Sequence, residues 1–397
     1  MPTRAPLYDV IIIGGGPAGA TAATALAECG RRVMLLDKAG RIKPCGGAIP
    51  PRLIRDFDIP DHLIVGRATA ARMIAPSAKR VEMPVGKGFV GMVNRESFDE
   101  WLRERAAEAG AERRTGVFES IERDDNGLAT VTYREAGRSG DLVRIRARTI
   151  IGADGARSTV AKQEIANAQD MPCVYAYHEM IKSPAQGSGG FDEERCDVFY
   201  QGQVSPDFYG WIFPHGDTAS VGVGSAQKGF SLRDAVTRLR KDSGLDTCET
   251  VRGEGAPIPL RPLKKWDNGR DVIVIGDAAG VVAPASGEGI YYAMASGRFG
   301  AEAVVTYLAT GQAKALSLAR KNFMKAHGRV FWILGIMQYF WYRNDKRRER
   351  FVTICDDPDV QSLTWQAYME KQLVRAKPAA HARIFFKDLR HLLGSAT

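Results

Sequence analysis

The segment from Tyr8 to Lys38 constrains the fold of this chain more than any other stretch. Its sequence, YDVIIIGGGPAGATAATALAECGRRVMLLDK, contains an apolar run, a glycine turn, an alanine-rich stretch and a second apolar run that ends in an acid. This pattern predicts a strand, a turn, a helix and a second strand, the βαβ unit that binds dinucleotides. Gly14, Gly16 and Gly19 have the GxGxxG spacing, which allows a tight turn, close approach of backbone to a pyrophosphate, and close packing of helix on strand.

The acid at the end of the second strand completes this predicted site. Asp37 is placed to accept hydrogen bonds from the ribose hydroxyls of the adenosine half. The first turn of the helix offers free backbone N–H groups to the phosphates. The residues expected to contact the dinucleotide here are Gly14, Gly16, Ala18, Gly19, Asp37 and Lys38. A glycine turn without a ligand is the alternative, and the agreement of strand, helix and acid argues against it.

Two later segments repeat the order of strand, glycine turn and helix. They are TIIGADGARSTVAK, from Thr149 to Lys162, and DVIVIGDAAGVVAPASGEGIYYAMASG, from Asp271 to Gly297. Their order resembles the second and third flavin-contacting motifs of the FAD family that includes the aromatic hydroxylases, which favours FAD over NAD. By that resemblance Asp277 binds a ribityl hydroxyl, and the backbone at Gly287 and Gly289 approaches the isoalloxazine ring. The other contacts implied are Arg95 near the phosphates, Asp154 and Ile290. Alternatively, Asp154 and Asp277 are turn or helix-cap residues.

The cysteines and the N-terminal residues indicate the compartment. Six cysteines lie far apart without a CxxC pair, and no apolar leader segment precedes the first strand. We therefore expect a reduced, cytoplasmic protein without a zinc site. The hydrophobic content of 45% over 397 residues is that of a packed globular enzyme.

Between the flavin motifs the chain changes character. Stretches such as CDVFYQ and YGWIFP are rich in β-branched and aromatic residues and are separated by turn residues. The predicted fold is α/β, a Rossmann-type FAD-binding domain of the aromatic-hydroxylase-like superfamily with an inserted antiparallel β-sheet domain and a C-terminal helical region. The predicted boundaries are 1–72, 94–165 and 268–310 for the FAD domain, 73–93 and 166–267 for the substrate domain, and 311–397 for the helical region.

All the excess positive charge lies in the helical region. Residues 311–397 contain 16 Lys/Arg and 7 Asp/Glu, whereas residues 1–310 contain 39 of each sign. The cluster RNDKRRER, Arg343 to Arg350, directly follows an apolar and aromatic run of 13 residues, Val330 to Tyr342. A bilayer span needs about 20 residues, so this run favours a helix lying at an anionic membrane surface. A buried helix with a solvated basic end is the alternative. Nucleic-acid binding is not favoured, because no recognition motif accompanies the charge.

Four segments make a family resemblance specific. They are KPCGGAIPP, VSPDFYGWIFP, GDAAG followed by SGEGIYYA, and DDPDVQSLTWQAYMEKQL. They resemble the geranylgeranyl reductases, in particular the branch that finishes chlorophyll and bacteriochlorophyll side chains. The resemblance runs from Asp9 to the region of Leu393. It implies a flavoprotein that reduces three of the four double bonds of a geranylgeranyl group to give phytyl, on the esterified tetrapyrrole or on free geranylgeranyl diphosphate.

The same resemblance implies the other participants. The expected reductant is NADPH, with reduced ferredoxin as the competitor. No second GxGxxG unit is present, so a nicotinamide nucleotide would bind transiently and not in a Rossmann domain of its own. The expected location is peripheral to the inner or photosynthetic membrane, where the pigment prenyl-synthase is a possible partner.

The aromatic residues of YGWIFP suit this chemistry. An isolated alkene has no carbonyl to accept charge, so a hydride from reduced flavin N5 must be matched by a proton, and positive charge develops on carbon. An aromatic, water-poor wall made of Tyr209, Trp211 and Phe213 would bind the prenyl chain and stabilise that charge. Packing inside a sheet is the alternative for each of the three.

The remaining feature is the turn that contains Cys45. By the resemblance, the loop after Asp37 passes beside the isoalloxazine ring, so Gly46 and Gly47 admit flavin or substrate where side chains would clash. Cys45 would then contact the cofactor and face the reaction, and we predict it as the catalytic proton donor, with Tyr209 as the second candidate. No neighbouring ligands support a metal and no nearby cysteine supports a disulfide. A small apolar packing residue is the alternative.

Two other functions are compatible with the flavin motifs. One is a monooxygenase that acts on an apolar substrate and passes electrons to O2. The other is a non-catalytic carrier of a prenylated pigment. Reduction of the substrate without oxygen would distinguish the reductase from both.

Overall fold

Apolar strands alternate with helices along the chain. The computed structural model describes residues 7–38, 40, 42–135, 140–186 and 188–371. The strands are β1 Leu7–Ile13, β2 Val33–Asp37, β3 Ala48–Ile49, β4 Ile64–Ala68, β5 Ala70–Ile74, β6 Arg80–Pro84, β7 Val90–Val93, β8 Glu112–Arg123, β9 Ala129–Glu135, β10 Leu142–Gly152, β11 Cys173–Lys182, β12 Arg195–Phe199, β13 Gly210–His215, β14 Thr218–Ser225, β15 Thr250–Pro259 and β16 Val272–Val274. The α-helices are α1 Pro17–Glu28, α2 Pro51–Asp56, α3 Arg95–Glu108, α4 Thr159–Glu164, α5 Leu232–Asp242, α6 Ile290–Thr310, α7 Leu318–Trp341, α8 Asp345–Ile354 and α9 Pro358–Glu370.

The chain divides into two compact units. The first contains the residues up to Lys43, Arg95–Cys173 and Pro257–Phe331. The second contains Pro44–Asn94, Val174–Ala256 and the residues from Trp332 onward.

A mainly parallel sheet forms the centre of the first unit. β1 pairs in parallel with β2 and β10, β2 with β8, and β10 with β16, whereas β9 is antiparallel to β8 and β10. Because the carboxyl ends of parallel strands meet at one edge, the turns that follow Ile13, Asp37, Gly152 and Val274 lie together. These are the turns in which the sequence predicts dinucleotide contacts.

Two sheets form the second unit. β3, β7 and β4 form a three-stranded sheet, and the larger sheet has the order β15-β11-β14-β13-β12-β5-β6. In the larger sheet β12 and β5 are parallel, while β11–β14, β13–β14, β12–β13 and β5–β6 are antiparallel. Val236 and Leu239 of α5 share a core with Ile212 of β13. Since side chains alternate along a strand, Trp211 and Phe213 lie on the other face of β13.

The units divide the chain differently from the boundaries predicted from sequence. Residues 44–72 group with the second unit because β3 and β4 both pair with β7. The predicted helical region is also divided, since α7 begins in the first unit and ends in the second, and residues 372–397 lie outside the described part. None of the helices in the described ranges is long and apolar enough to cross a membrane.

Candidate active site

The glycine turn after β1 is shaped by close backbone packing in the first unit. Gly14 has a φ of +108°, and a Cβ there would lie 2.3 Å from the carbonyl oxygen of Ala153. A Cβ at Gly19 would lie 1.9 Å from the carbonyl oxygen of Gly14. Both glycines are therefore required by the fold itself, with or without a ligand.

Gly16 differs because it faces open space. Its φ of −75° suits any residue, and a Cβ built there has nothing within 4 Å. Gly16 is the N-cap of α1, no cap side chain bonds this helix end, and the first turn contains no acid. The N-terminus of α1 is thus open to an anion where the motif predicts the pyrophosphate.

Ala18 and Lys38 have contrasting surroundings. Ala18 is buried. A Cβ at Gly276 would lie 2.7 Å from the Ala18 Cβ, and a Cβ at Gly297 would lie 2.5 Å from the Ala18 carbonyl oxygen. A small residue is needed here because α1 passes close to α6 and to the turn after β16. Lys38 is exposed directly after β2. Direct cofactor contact by either residue stays a prediction.

Asp37 lies at the end of β2 beside an arginine that sequence reasoning missed. Arg103 Nη1 is 3.3 Å from Asp37 Oδ2 and donates a hydrogen bond to the Gly15 carbonyl oxygen, also at 3.3 Å. Burial raises the pKa of the Asp37 carboxyl. Arg103 therefore places a positive charge next to the glycine turn.

Arg95 is placed in a buried ion pair. Its guanidinium donates to both carboxylate oxygens of Asp99, at 2.8 and 2.7 Å, and its side chain is 4% exposed. Arg95 and Arg103 lie two helical turns apart on α3, so this spacing is the signal by which Arg103 could have been found. Contact of Arg95 with the phosphates stays a prediction.

Asp154 stabilises the start of α4. Its carboxylate accepts hydrogen bonds from the Ser158 hydroxyl and from the N–H groups of Thr159 and Val160, the latter two at 2.6 and 3.3 Å. Burial raises the pKa of this carboxyl. These contacts correspond to the helix-cap alternative, and cofactor contact by Asp154 stays a prediction.

Asp277 lies in the turn after β16 and forms an ion pair with Lys43. The Asp277 side chain is buried, whereas that of Lys43 is 35% exposed. Sequence reasoning missed Lys43, because nothing local links two residues that are 234 positions apart.

The turn before α6 lies beside Asp277. Gly287 has a φ of +65°, and Gly289 is the N-cap of α6, which begins at Ile290. A Cβ at Gly289 would lie 3.8 Å from Asp277 Oδ1. A positive φ at Gly287 favours glycine whatever contacts it makes. Contact of these residues with the flavin stays a prediction.

The residues of the first unit fit FAD. The open N-terminus of α1 suits a diphosphate, and Asp37 at the end of β2 suits a ribose. The buried Asp277 carboxylate suits the hydroxyls of a ribityl chain. All of them lie at the carboxyl edge of one parallel sheet, where such folds bind nucleotides.

In the second unit the structure brings the three predicted aromatic residues into one row. Trp211 and Phe213 alternate on β13 with ring centroids 6.2 Å apart, and the Tyr209 ring lies 6.0 Å from that of Trp211. Tyr209 and Trp211 are buried, and Phe213 is partly exposed. Burial raises the pKa of the Tyr209 hydroxyl, so it stays protonated.

A hydrogen-bond network fixes the indole of Trp211. Its Nε1 donates to Ser220 Oγ at 3.0 Å, and Ser220 Oγ lies 2.9 Å from His178 Nδ1. His178 Nε2 lies 3.5 Å from Glu254 Oε1. Gly222 on β14 leaves room for the ring, since a Cβ there would lie 2.1 Å from it. The indole therefore has one well-defined orientation.

The turn that contains Cys45 packs on this aromatic row. Cys45 Sγ accepts a hydrogen bond from the Gly47 N–H at 3.4 Å. A Cβ at Gly46 would lie 3.2 Å from the Phe213 ring, and one at Gly47 would lie 2.4 Å from His215 Cε1. The structure thus gives both glycines a reason that the sequence did not reveal, namely close contact with β13. Their contact with flavin stays a prediction.

His215, which sequence reasoning also missed, anchors this turn. His215 Nε2 lies 3.0 Å from the Gly46 carbonyl oxygen, and the side chain is 4% exposed. Because a carbonyl can only accept, Nε2 carries the proton and donates it. Burial lowers the pKa of His215 to about 4, so the imidazole is neutral at neutral pH.

This lowered pKa predicts a pH dependence of stability. The unfolded chain protonates His215 below pH ~6.5, whereas the folded protein resists until the pH nears 4, so the free energy of unfolding falls with pH across that window. Between pH 7 and pH 5 the loss from this one group is roughly 2 kcal/mol. His215→Gln keeps an N–H donor but does not titrate. Between pH 7 and pH 5 its free energy of unfolding, measured in urea, should therefore fall by roughly 2 kcal/mol less than that of the wild type. The exposed His62→Gln is the control, and equal losses in all three proteins would contradict the assignment.

Comparisons with known proteins agree with this geometry. Residues 8–171 match the pyridine nucleotide-disulphide oxidoreductase family model, and residues 229–386 match the lycopene cyclase protein model. A geranylgeranyl bacteriochlorophyll reductase-like protein from Thermoplasma acidophilum superimposes with a TM-score of 0.81 at 21% identity, over 94% of this chain and 99% of that one. A flavin-dependent brominase gives 0.74 at 19% identity, over 97% and 100%. The predicted fold class, a Rossmann-type FAD-binding α/β fold, is thereby confirmed.

Relatives in sequence identify the family. A geranylgeranyl diphosphate reductase of Rhodobacter capsulatus is 56% identical over 98% of both chains. A chloroplastic geranylgeranyl diphosphate reductase of Oryza sativa is 38% identical over 93% of this chain and 82% of its own, and one of Synechocystis is 35% identical over 97% of both. The chain belongs to the geranylgeranyl diphosphate reductase family, as the motif resemblance predicted.

Proposed function

We propose that this protein reduces the geranylgeranyl group to phytyl in three successive steps, with FAD as the bound cofactor. The family relation supports this reaction, since relatives along the full chain are named for geranylgeranyl diphosphate reduction. In the structure, the proposed reaction is supported best by the row of Tyr209, Trp211 and Phe213, on which the Cys45 turn packs. A row of aromatic faces beside a thiol suits an apolar alkene that needs a proton.

The chemistry assigns separate tasks to these residues. Reduced FAD, when bound, supplies a hydride to the alkene. The aromatic row binds the prenyl chain and excludes water, and its π faces stabilise the positive charge that develops on carbon. Cys45 donates the proton, and the buried Tyr209 hydroxyl is the second candidate. The hydrogen bonds that fix Trp211 and the Cys45 turn keep these groups in position before substrate arrives.

The substrate and the reductant follow from the family relation. The prenyl group is presented either as geranylgeranylated (bacterio)chlorophyll or as free geranylgeranyl diphosphate. NADPH is the expected electron donor, and reduced ferredoxin is the competitor.

The test of the reaction is an anaerobic single turnover. The dithionite-reduced protein is mixed with geranylgeranylated pigment or with geranylgeranyl diphosphate, and the mass of the product is measured by mass spectrometry. A reductase adds two hydrogens per double bond without oxygen. A monooxygenase would need O2 and would add oxygen to the product, and a carrier would leave both the flavin and the pigment unchanged.

We also propose that the protein docks on an anionic membrane through one face of α7. Trp332, Ile336 and Tyr339 are 67%, 48% and 73% exposed, and their spacing of four and three residues places them on one helix face. Arg343 and Lys346 follow them and are also exposed. Exposed aromatic residues next to cations suit the interface of an anionic bilayer.

One arginine of the basic cluster Arg343–Arg350 is buried, contrary to the interpretation of the whole cluster as a membrane-binding surface. Arg348 is 1% exposed, pairs with Asp345 and donates hydrogen bonds to the carbonyl oxygens of Pro206 and Tyr342. Arg347 lies over the Phe340 ring at 4.3 Å. Arg348 therefore stabilises the second unit and is not available to lipid headgroups.

Within the basic cluster, only the exposed cations are expected to contribute to membrane binding. Arg343→Gln/Lys346→Gln should weaken sedimentation with anionic vesicles by roughly 2 kcal/mol, about 1 kcal/mol per charge, and should leave flavin content unchanged. Lys228→Gln/Lys241→Gln, which removes two exposed lysines outside α7 and α8, is the control. If the first variant binds anionic vesicles as well as the wild type does, the basic segment is only a solvent-exposed surface without a role in membrane binding.

A further inference from the structure

A basic cavity lies in the first unit and is lined by residues other than those of the turns described above. It has a volume of about 610 Å³ and is lined by the end of α4, the loop before β16 and the beginning of α7. This volume is in the range of small-ligand sites. Its cations are Lys264, Lys265, Arg320 and Lys321.

The charges around the cavity are not balanced by its acids. Its two acidic residues are already engaged, since Glu164 pairs with Arg123 at 3.0 Å and Asp267 accepts a hydrogen bond from the Gly269 N–H at 3.0 Å. Within the described ranges Lys264, Lys265 and Lys321 form no ion pair with a carboxylate. Asp267 has no ion-pair partner within the described ranges, so one carboxylate faces four cations and the concave wall presents net positive charge to solvent.

The cations are also held in place before any ligand binds. Arg320 Nε donates a hydrogen bond to the Leu263 carbonyl oxygen at 2.9 Å, which ties α7 to the loop. Trp266 is fully buried, and its ring lies 5.2 Å from that of Phe323 on α7. Lys264 and Lys265 lie between these two anchors in the chain, so their backbone is fixed against the helix that carries Lys321. Such preorganisation reduces the entropy lost on binding.

We propose that this cavity binds the phosphate or diphosphate group of a small ligand. Lysine and arginine are the residues that recognise phosphate oxygens. A concave site suits a small ligand better than an acidic protein, whose stable contact needs about 800 Å² on each partner. Two ligands of the proposed reaction carry such groups, NADPH and geranylgeranyl diphosphate. The choice between them rests on the proposed function, whereas phosphate binding does not.

Calorimetry with inorganic pyrophosphate and the FAD-loaded protein tests the site. Lys265→Ala/Lys321→Ala should bind pyrophosphate about 100-fold more weakly than the wild type, about tenfold for each lost charged contact. Lys325→Ala removes an exposed lysine one turn further along α7 that does not line the cavity, so its affinity should be unchanged. Displacement of pyrophosphate by 2′-phosphoadenosine diphosphoribose would support the site and assign it to the reductant, and displacement by geranylgeranyl diphosphate would support it and assign it to the substrate.

Several results would overturn this proposal. They are no saturable binding of pyrophosphate, equal affinities of the double variant and the wild type, and a loss of affinity in Lys325→Ala as large as that in the double variant. A protein that binds pyrophosphate as expected but fails to reduce geranylgeranyl substrates would overturn the proposed function and leave the site intact.

Discussion

Gly16→Val is expected to fold normally and to lose FAD. A valine Cβ at position 16 has nothing within 4 Å, and the φ of −75° suits valine. The new side chain would occupy the open N-terminus of α1, where the pyrophosphate belongs. Losing two charge-assisted hydrogen bonds would weaken FAD binding by about 100-fold or more. Flavin absorbance of the purified protein measures the outcome.

A matched control separates the loss of cofactor from the loss of fold. Gly335→Val adds the same side chain at another glycine whose Cβ direction is open, outside the flavin motifs, and it should retain its FAD. Gly14→Val would instead clash with the backbone at Ala153, so a loss of FAD there would show only that the fold is damaged. A Gly16→Val protein with a full complement of flavin would contradict the assignment of the GxGxxG motif as the FAD pyrophosphate site.

The features that the sequence predicted correctly are encoded locally. The apolar runs on both sides of the glycine turn correspond to β1 and β2, and the alanine-rich stretch corresponds to α1. Alternation along YGWIFP places Trp211 and Phe213 on one face of β13, because strand side chains have a period of two.

The features that sequence reasoning missed are long-range contacts. Arg103 contacts Asp37 from 66 residues away, and His215 contacts Gly46 from 169 residues away. No propensity or spacing rule reports such a pairing, because it depends on how strands cross in the folded chain. For the same reason the sequence did not reveal that side chains of β13 pack against Gly46 and Gly47.

Cys45→Ala is expected to keep FAD and to bind the prenyl substrate, but to slow alkene-dependent reoxidation of the bound flavin by about 100-fold or more, the factor typical of losing a general acid. The thiol also accepts a hydrogen bond from the Gly47 N–H, which the substitution to alanine removes. All six cysteines are free, and the described residues contain no group of three His, Cys, Asp or Glu side chains that could hold a metal ion. The bond from His215 to Gly46 fixes the turn, so removing the thiol should not move its backbone. Anaerobic stopped-flow absorbance measures the reoxidation rate.

Two further substitutions distinguish a proton donor from a packing residue. Cys45→Ser keeps a proton donor of similar size that can also accept a hydrogen bond from the Gly47 N–H, so it should recover part of the rate. A purely apolar role would leave serine no better than alanine. Tyr209→Phe removes the competing hydroxyl and should have the smaller effect. If Cys45→Ala reoxidises at close to the wild-type rate and Tyr209→Phe does not, the proton comes from Tyr209 and Cys45 serves only to pack the turn against β13.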